Sequence, residues 1–143
     1  MLNIRKVDHV GLRVRDKDRS IAFYRGLGFE VMADVGFDQG HPVIMRHASG
    51  VVLNLLGPAN TEDGVNVLMD VGEKYPGYTH VALEIESIDD AKALFAEKGI
   101  QITGSFSFKG MNAIFIRDPD RNVIELDQHD CKTADPAGYE AHP

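Results

Sequence analysis

Two histidines, an asparagine and a glutamate occupy matching places in the two halves of this 143-residue chain. His9 and His80 stand 71 positions apart, and the same shift lays Asn54 on Glu125. Two imidazoles and one carboxylate form a set that binds divalent metals and leaves coordination positions open for a substrate. Whether these side chains meet depends on the elements that carry them.

The shift of 71 carries the whole chain onto itself without a gap. Asp8-His9-Val10-Gly11-Leu12 falls on Thr79-His80-Val81-Ala82-Leu83, and Val52-Leu53-Asn54-Leu55 falls on Val123-Ile124-Glu125-Leu126. Gly28, Phe37 and Arg46 meet Gly99, Phe108 and Arg117. Roughly one aligned position in five is identical, as expected of a duplicated supersecondary unit.

Each copy reads as a strand, a helix and three short strands. Val7 to Val14 alternates, with Val10, Leu12 and Val14 on one face and His9, Gly11 and Arg13 on the other. A helix follows from about Lys17 to Leu27, with Asp16 or Asp18 starting it and Gly28 stopping it. The second helix, Ile88 to Lys98, has Ser87 three residues before Asp90 as a cap and Gly99 as a stop. Strands at Gln101 to Phe108, Asn112 to Arg117 and Asn122 to Gln128 complete the second copy. The expected fold is therefore α+β, with two βαβββ modules in one domain. They span 2–56 and 79–128, with a connector at 57–78 and a tail at 129–143. Within the connector, Val65 to Val71 reads as an edge strand or the cover of a cleft.

Strand parity then sorts the chemistry. If Val10 and Leu12 pack beneath the helix, His9 points the other way, and the same holds for His80. Ile124 and Leu126 belong to the packed face, so Val123, Glu125 and Asp127 point into the opposite one, as Asn54 does in the first copy. A metal site is one reading. A hydrogen-bonded core histidine, or a Glu125 paired with Arg13, Arg46 or Arg117, is the other.

The paired units, with His on the first strand of each and Glu in Asp118-Pro119-Asp120-Arg121-Asn122-Val123-Ile124-Glu125-Leu126, resemble the vicinal oxygen chelate superfamily. Ser20-Ile21-Ala22-Phe23-Tyr24-Arg25-Gly26-Leu27-Gly28-Phe29 is similar to that family's first helix and turn. The family includes glyoxalase I, methylmalonyl-CoA epimerase, extradiol dioxygenases and metal-free bleomycin-binding proteins. The resemblance implies an eight-stranded open cup with helices outside. It also implies a divalent metal (Fe, Mn, Ni, Co or Zn) held by His9, His80 and Glu125. Glu125 would also act as a proton acceptor when displaced from the metal; by their own chemistry Asn54 is read as a catalytic hydrogen-bonding group or a weak neutral ligand, and Phe115 as a wall for the substrate or a core aromatic. Where glyoxalase I has a second Glu this chain has Asn54, so the metal with one carboxylate keeps a charge of about +1 and favours an anionic oxygen chelate. Lyase, isomerase or dioxygenase chemistry on a small molecule is expected; the alternative is a metal-free sequestering protein of the bleomycin-resistance type.

The bulk properties agree with a small-molecule partner. A net charge of −7 argues against nucleic acid and anionic membranes. Cys131 is the one cysteine, which excludes a cysteine-built metal site. No run approaches the ~18 apolar residues of a spanning helix, and the first residues lack the apolar core of a secretory signal. A cytoplasmic homodimer is expected, the pairing protecting exposed sheet edges.

Overall fold

The computed structural model describes residues 1–62 and 64–130, so the tail beyond Asp130, with Cys131 and His142, lies outside the described residues. The strands are β1 (Val10–Arg13), β2 (Phe29–Ala33), β3 (Val43–His47), β4 (Val52–Leu56), β5 (His80–Glu84), β6 (Ile102–Phe108), β7 (Met111–Arg117) and β8 (Val123–His129). The helices are α1 (Lys17–Gly26) and α2 (Ile88–Lys98). Both expected βαβββ modules are present. They form two four-stranded mixed sheets, ordered β1-β4-β3-β2 and β5-β8-β7-β6.

The chain divides into two compact units. The first is Met1–Asp70 together with Asp118–Arg121, and the second takes up the chain from Val71 to Arg117 and again from Asn122.

In the first unit β1 runs parallel to β4, which pairs antiparallel with β3. Met45 lies opposite Leu53 and Val43 opposite Leu55, and all four are buried. Burying side chains of this size contributes about 1.5–3 kcal/mol each. Helix α1 is capped by Asp16, whose carboxylate accepts from the Asp18 and Arg19 N–H groups, and it turns Ser20, Ile21 and Tyr24 inward. Gly28 follows at φ +102°, a conformation that side chains disfavour.

The turn Asp118–Arg121 belongs to this unit through its side chains. The Tyr24 hydroxyl donates to Asp118 Oδ2 at 2.8 Å in a buried setting, and burial beside that carboxylate raises the phenol's pKa well above its ordinary value. Arg19 Nη2 pairs with Asp120 Oδ1 at 2.9 Å, and the Arg15 N–H donates to the same oxygen at 3.2 Å.

At 65–71 the connector does not take the edge-strand form, one of the two expected for it. Asn66 Oδ1 accepts from the Leu68 and Met69 N–H groups, and the Asp70 N–H donates to the Asn66 carbonyl. These local bonds fold the segment into turns, so it makes no edge strand. Asn66 Nδ2 donates to the Arg121 carbonyl at 2.9 Å, and Arg121 Nε pairs with Asp70 at 3.1 Å.

The second unit repeats the plan. Ser87 Oγ accepts from the Asp90 N–H, and Gly99 ends α2 in the left-handed conformation at φ +70°. Ile114, Ile116, Ile124 and Leu126 form the core with Ile88 and Phe95 of α2.

Candidate functional site

The Ile88 N–H, at the start of α2, donates to Gln128 Oε1 at 2.7 Å. Gln128 therefore faces the helix, and alternation along β8 places Ile124 and Leu126 with it. Val123, Glu125 and Asp127 lie on the opposite, helix-free face. Registry extends that face across the sheet. His80 is level with Val123, Ala82 with Glu125, and Glu84 with Asp127 on β5, while Phe115 is level with Glu125 on β7.

Here the second unit brings together what the repeat pointed to. His80 Nε2 stands 3.4 Å from Glu125 Oε1. The His80 Nδ1 lies 2.8 Å from Thr79 Oγ1, which orients the imidazole and leaves Nε2 directed at the carboxylate. The Phe115 ring meets His80 edge to face with centroids 6.4 Å apart, so it stands beside the pair as a wall. Ala82, a small residue, is level with Glu125 on β5.

Glu125 is mostly buried, its side chain 14% exposed. Burial, and then the Asp127 carboxyl beside it, push its pKa up to about 7. His80 does not offset this, because 3.4 Å exceeds the 2.7–2.9 Å of a strong charge-assisted bond and the imidazole is substantially exposed. Asp127 is 8% exposed and its Oδ1 has no hydrogen-bond partner among the described residues. Parity places Asp127 on this face; its burial and its orphan oxygen could not be read from sequence. The signal that was available is its position two residues after Glu125.

The first unit presents its residues differently. His9 precedes β1 instead of lying within it, because the parallel pairing with β4 begins only at Val10 opposite Leu53. Val7 upstream is exposed, so the expected strand from Val7 starts three residues late. The His9 imidazole is also exposed, and its Nδ1 lies 2.6 Å from Asp8 Oδ1. That bond holds the Asp8 carboxyl below its usual range. Asn54 sits on β4 level with Gly11 and Ile44, and its Oδ1 is buried without a partner among the described residues. Among the described residues no three His, Cys, Asp or Glu side chains are grouped so as to hold a metal ion. Two of the three expected ligands are thus adjacent, and His9 belongs to the other unit.

Residues 6–126 match the Glyoxalase/Bleomycin resistance protein/Dioxygenase superfamily. The chain belongs to this superfamily. It is 31% identical over 134 residues to the glyoxalase domain-containing protein RDO1 of Mycosarcoma maydis, across 90% of this chain and 70% of that protein. It is 27% identical over 133 residues to the mitochondrial methylmalonyl-CoA epimerase of Bos taurus, across 88% of this chain and 75% of the relative. The fold also matches that of TnmS3, an antibiotic-binding protein from Streptomyces, with a TM-score of 0.68 and 22% identity. That match spans 90% of this chain and 99% of TnmS3. Superfamily membership confirms the α+β plan of paired βαβββ modules. Among the described residues no helix is long and apolar enough to cross a membrane.

Proposed function

We propose that this protein is a divalent-metal-dependent enzyme that binds a small substrate through vicinal oxygens and carries out lyase, isomerase or dioxygenase chemistry on it. In this reading His80 and Glu125 are ligands from the second repeat and His9 is the ligand from the first. The observation that carries it is the His80–Glu125 pair. A mostly buried carboxylate, raised to about 7, stands 3.4 Å from an imidazole nitrogen on a face that no helix covers. Such a carboxylate is costly to keep ionised without a cation, which fits a site completed by one.

A bound divalent metal, whether Fe, Mn, Ni, Co or Zn, would acidify a chelated hydroxyl or the proton beside a chelated carbonyl. Glu125 would hold the metal in the resting state and act as the proton acceptor once displaced from it. The Asn54 amide offers a neutral donor and acceptor for a substrate oxygen, and its unpartnered Oδ1 fits a site that a ligand completes. Phe115 limits the space on the His80 side. Each sheet also leaves two edge strands, and Leu2, Ile4 and Val7 ahead of β1 are exposed, which supports a homodimer in this reading.

Elemental analysis and calorimetric titration with Mn²⁺, Ni²⁺, Zn²⁺ and Fe²⁺ test the proposal. Wild type is expected to bind at least one of them and His80→Ala to bind more than about 100-fold more weakly, beyond the loss typical of outer-shell changes. Oxygen uptake with a catechol and Fe²⁺ would select the dioxygenase branch, and turnover without oxygen the lyase or isomerase branch. A protein that takes up none of these metals, and whose ligand binding survives His80→Ala, is instead the sequestering binder.

A further inference from the structure

We infer that the first unit carries a binding site for an oxyanion, the carboxylate or phosphoryl group of a small molecule, built from the Arg46 guanidinium and the His47 Nε2–H. It needs no metal and uses neither His80 nor Glu125, which belong to the second unit. Gly28, Glu30, Met32, Arg46, His47 and Ala48 line a cavity of about 310 Å³ where β3 ends and β2 begins. Small-molecule sites start at about 300 Å³, so this one suits a compact ligand.

The His47 ring is held from two sides. Its Nδ1 accepts from the Ser49 N–H at 3.0 Å and lies 2.8 Å from Ser49 Oγ, which puts the proton of the neutral ring on Nε2. The Phe29 ring meets it edge to face, with centroids 5.3 Å apart. Nε2 itself has no hydrogen-bond partner among the described residues. Gly28 keeps the space beside it open, since a Cβ there would stand 3.0 Å from Nε2. A donor that is oriented, unengaged and flanked by bare backbone is arranged for an acceptor that comes from solution.

Arg46 supplies the charge. Its side chain is exposed and bonded to no other described residue. Glu30 lies level with it on β2 and lines the same cavity, yet no ion pair joins the two among the described residues. The guanidinium fork therefore stays open to the two parallel bonds that a carboxylate or phosphate accepts. The second repeat puts the same turn to another use. The shift of 71 lays Arg46, His47 and Ser49 on Arg117, Asp118 and Asp120. There Asp118 accepts from the Tyr24 hydroxyl and Asp120 from Arg19, so the turn is tied into the fold. In the first repeat the side chains of Arg46, His47 and Ser49 make no hydrogen bond beyond their own turn among the described residues, and its donors line a cavity instead.

The test titrates the full chain by calorimetry with inorganic phosphate and with succinate, at constant ionic strength and with a chelator present. Wild type is expected to bind at least one of them, and the tighter probe names the group the site takes. Arg46→Met and His47→Phe are each expected to weaken that binding about tenfold or more, as for a lost bond to a charged group. Glu30→Gln should tighten it a few-fold by removing a like charge. Saturating probe should raise the urea midpoint of wild type beyond the general salt effect seen in Arg46→Met, which separates a lost site from a lost fold. The inference fails if wild type binds neither probe, or if Arg46→Met or His47→Phe binds as wild type does. It fails too if Glu30→Gln weakens binding, which would make Glu30 and Arg46 a working pair and not an anion site. With chelator present throughout, each of these outcomes leaves the metal reading as it stands.

Discussion

The two repeats share a backbone plan and differ almost wholly on one face. Toward the helices they agree: Leu53 and Leu55 in the first unit, and Ile124 and Leu126 in the second, are all buried. On the opposite face the second unit presents His80, Glu84, Glu125 and Asp127, and the first presents Arg13, Asn54 and Leu56 at the matching places, with His9 just ahead of its strand. A core position is constrained by the volume around it, so both copies keep a large apolar residue there. A free face carries no such constraint, and its charges can diverge with function. Duplication thus preserved the scaffold and let the acidic work collect on one sheet.

The sharpest structural divergence falls at Gly57 and Gln128, which match at the shift of 71. Gln128 bonds to the first N–H of α2. Gly57 is packed so closely that a Cβ there would collide with the Val14 carbonyl and the Phe37 ring. Gly57→Ala is expected to cost about 2–3 kcal/mol, and Gln128→Ala about 1 kcal/mol, as for a lost helix cap. Urea unfolding of both variants measures the difference. Equal costs would mean that the two units tolerate change at this position alike.

A smaller effect would show whether the missing carboxylate at Asn54 limits the chemistry. Asn54→Glu introduced alone is expected to raise metal affinity by a few-fold and to increase any isomerase-type turnover. A fall in either would show that the amide at Asn54 does not stand where a carboxylate is needed. Titration of wild type and Asn54→Glu with Mn²⁺ and Zn²⁺ measures the difference.

Much of this was legible before any coordinates. The repeat led to the fold, because alternation and helical spacing recur at a fixed shift. Asp16, Ser87 and Gly99 marked helix ends through bonds that are local in sequence. The His80–Glu125 pair followed from parity, since registry across β5 and β8 places both on one face. What escaped were features decided by tertiary neighbours. His9 falls just ahead of its strand because pairing with β4 begins at Val10 opposite Leu53, whereas His80 pairs with Val123 in the second unit. Asp118 and Asp120 bind Tyr24 and Arg19, some hundred residues earlier in the chain, and no local pattern announces that. Asp127 was visible on its face, but parity cannot say that an oxygen will be buried without a donor.

A further difference concerns protons, and it should appear in the second unit with no counterpart at Asn54. Burial and Asp127 raise the Glu125 pKa from 4.5 to about 7 in the folded chain. A raised carboxyl pKa means that the folded state binds the proton more tightly than the unfolded state does. The stabilisation from this group is therefore complete below about pH 4.5 and is lost as pH rises through about 7. The metal-free protein, unfolded by urea in chelator, should lose stability across that interval. Glu125→Gln should flatten the loss, because the amide does not titrate, whereas a change at Asn54 that adds no charge should leave it intact. Saturating metal should also flatten it, by holding Glu125 ionised on both sides of the interval. A slope that persists unchanged in Glu125→Gln would place the titrating group elsewhere and remove the electrostatic distinction between the two copies at this position.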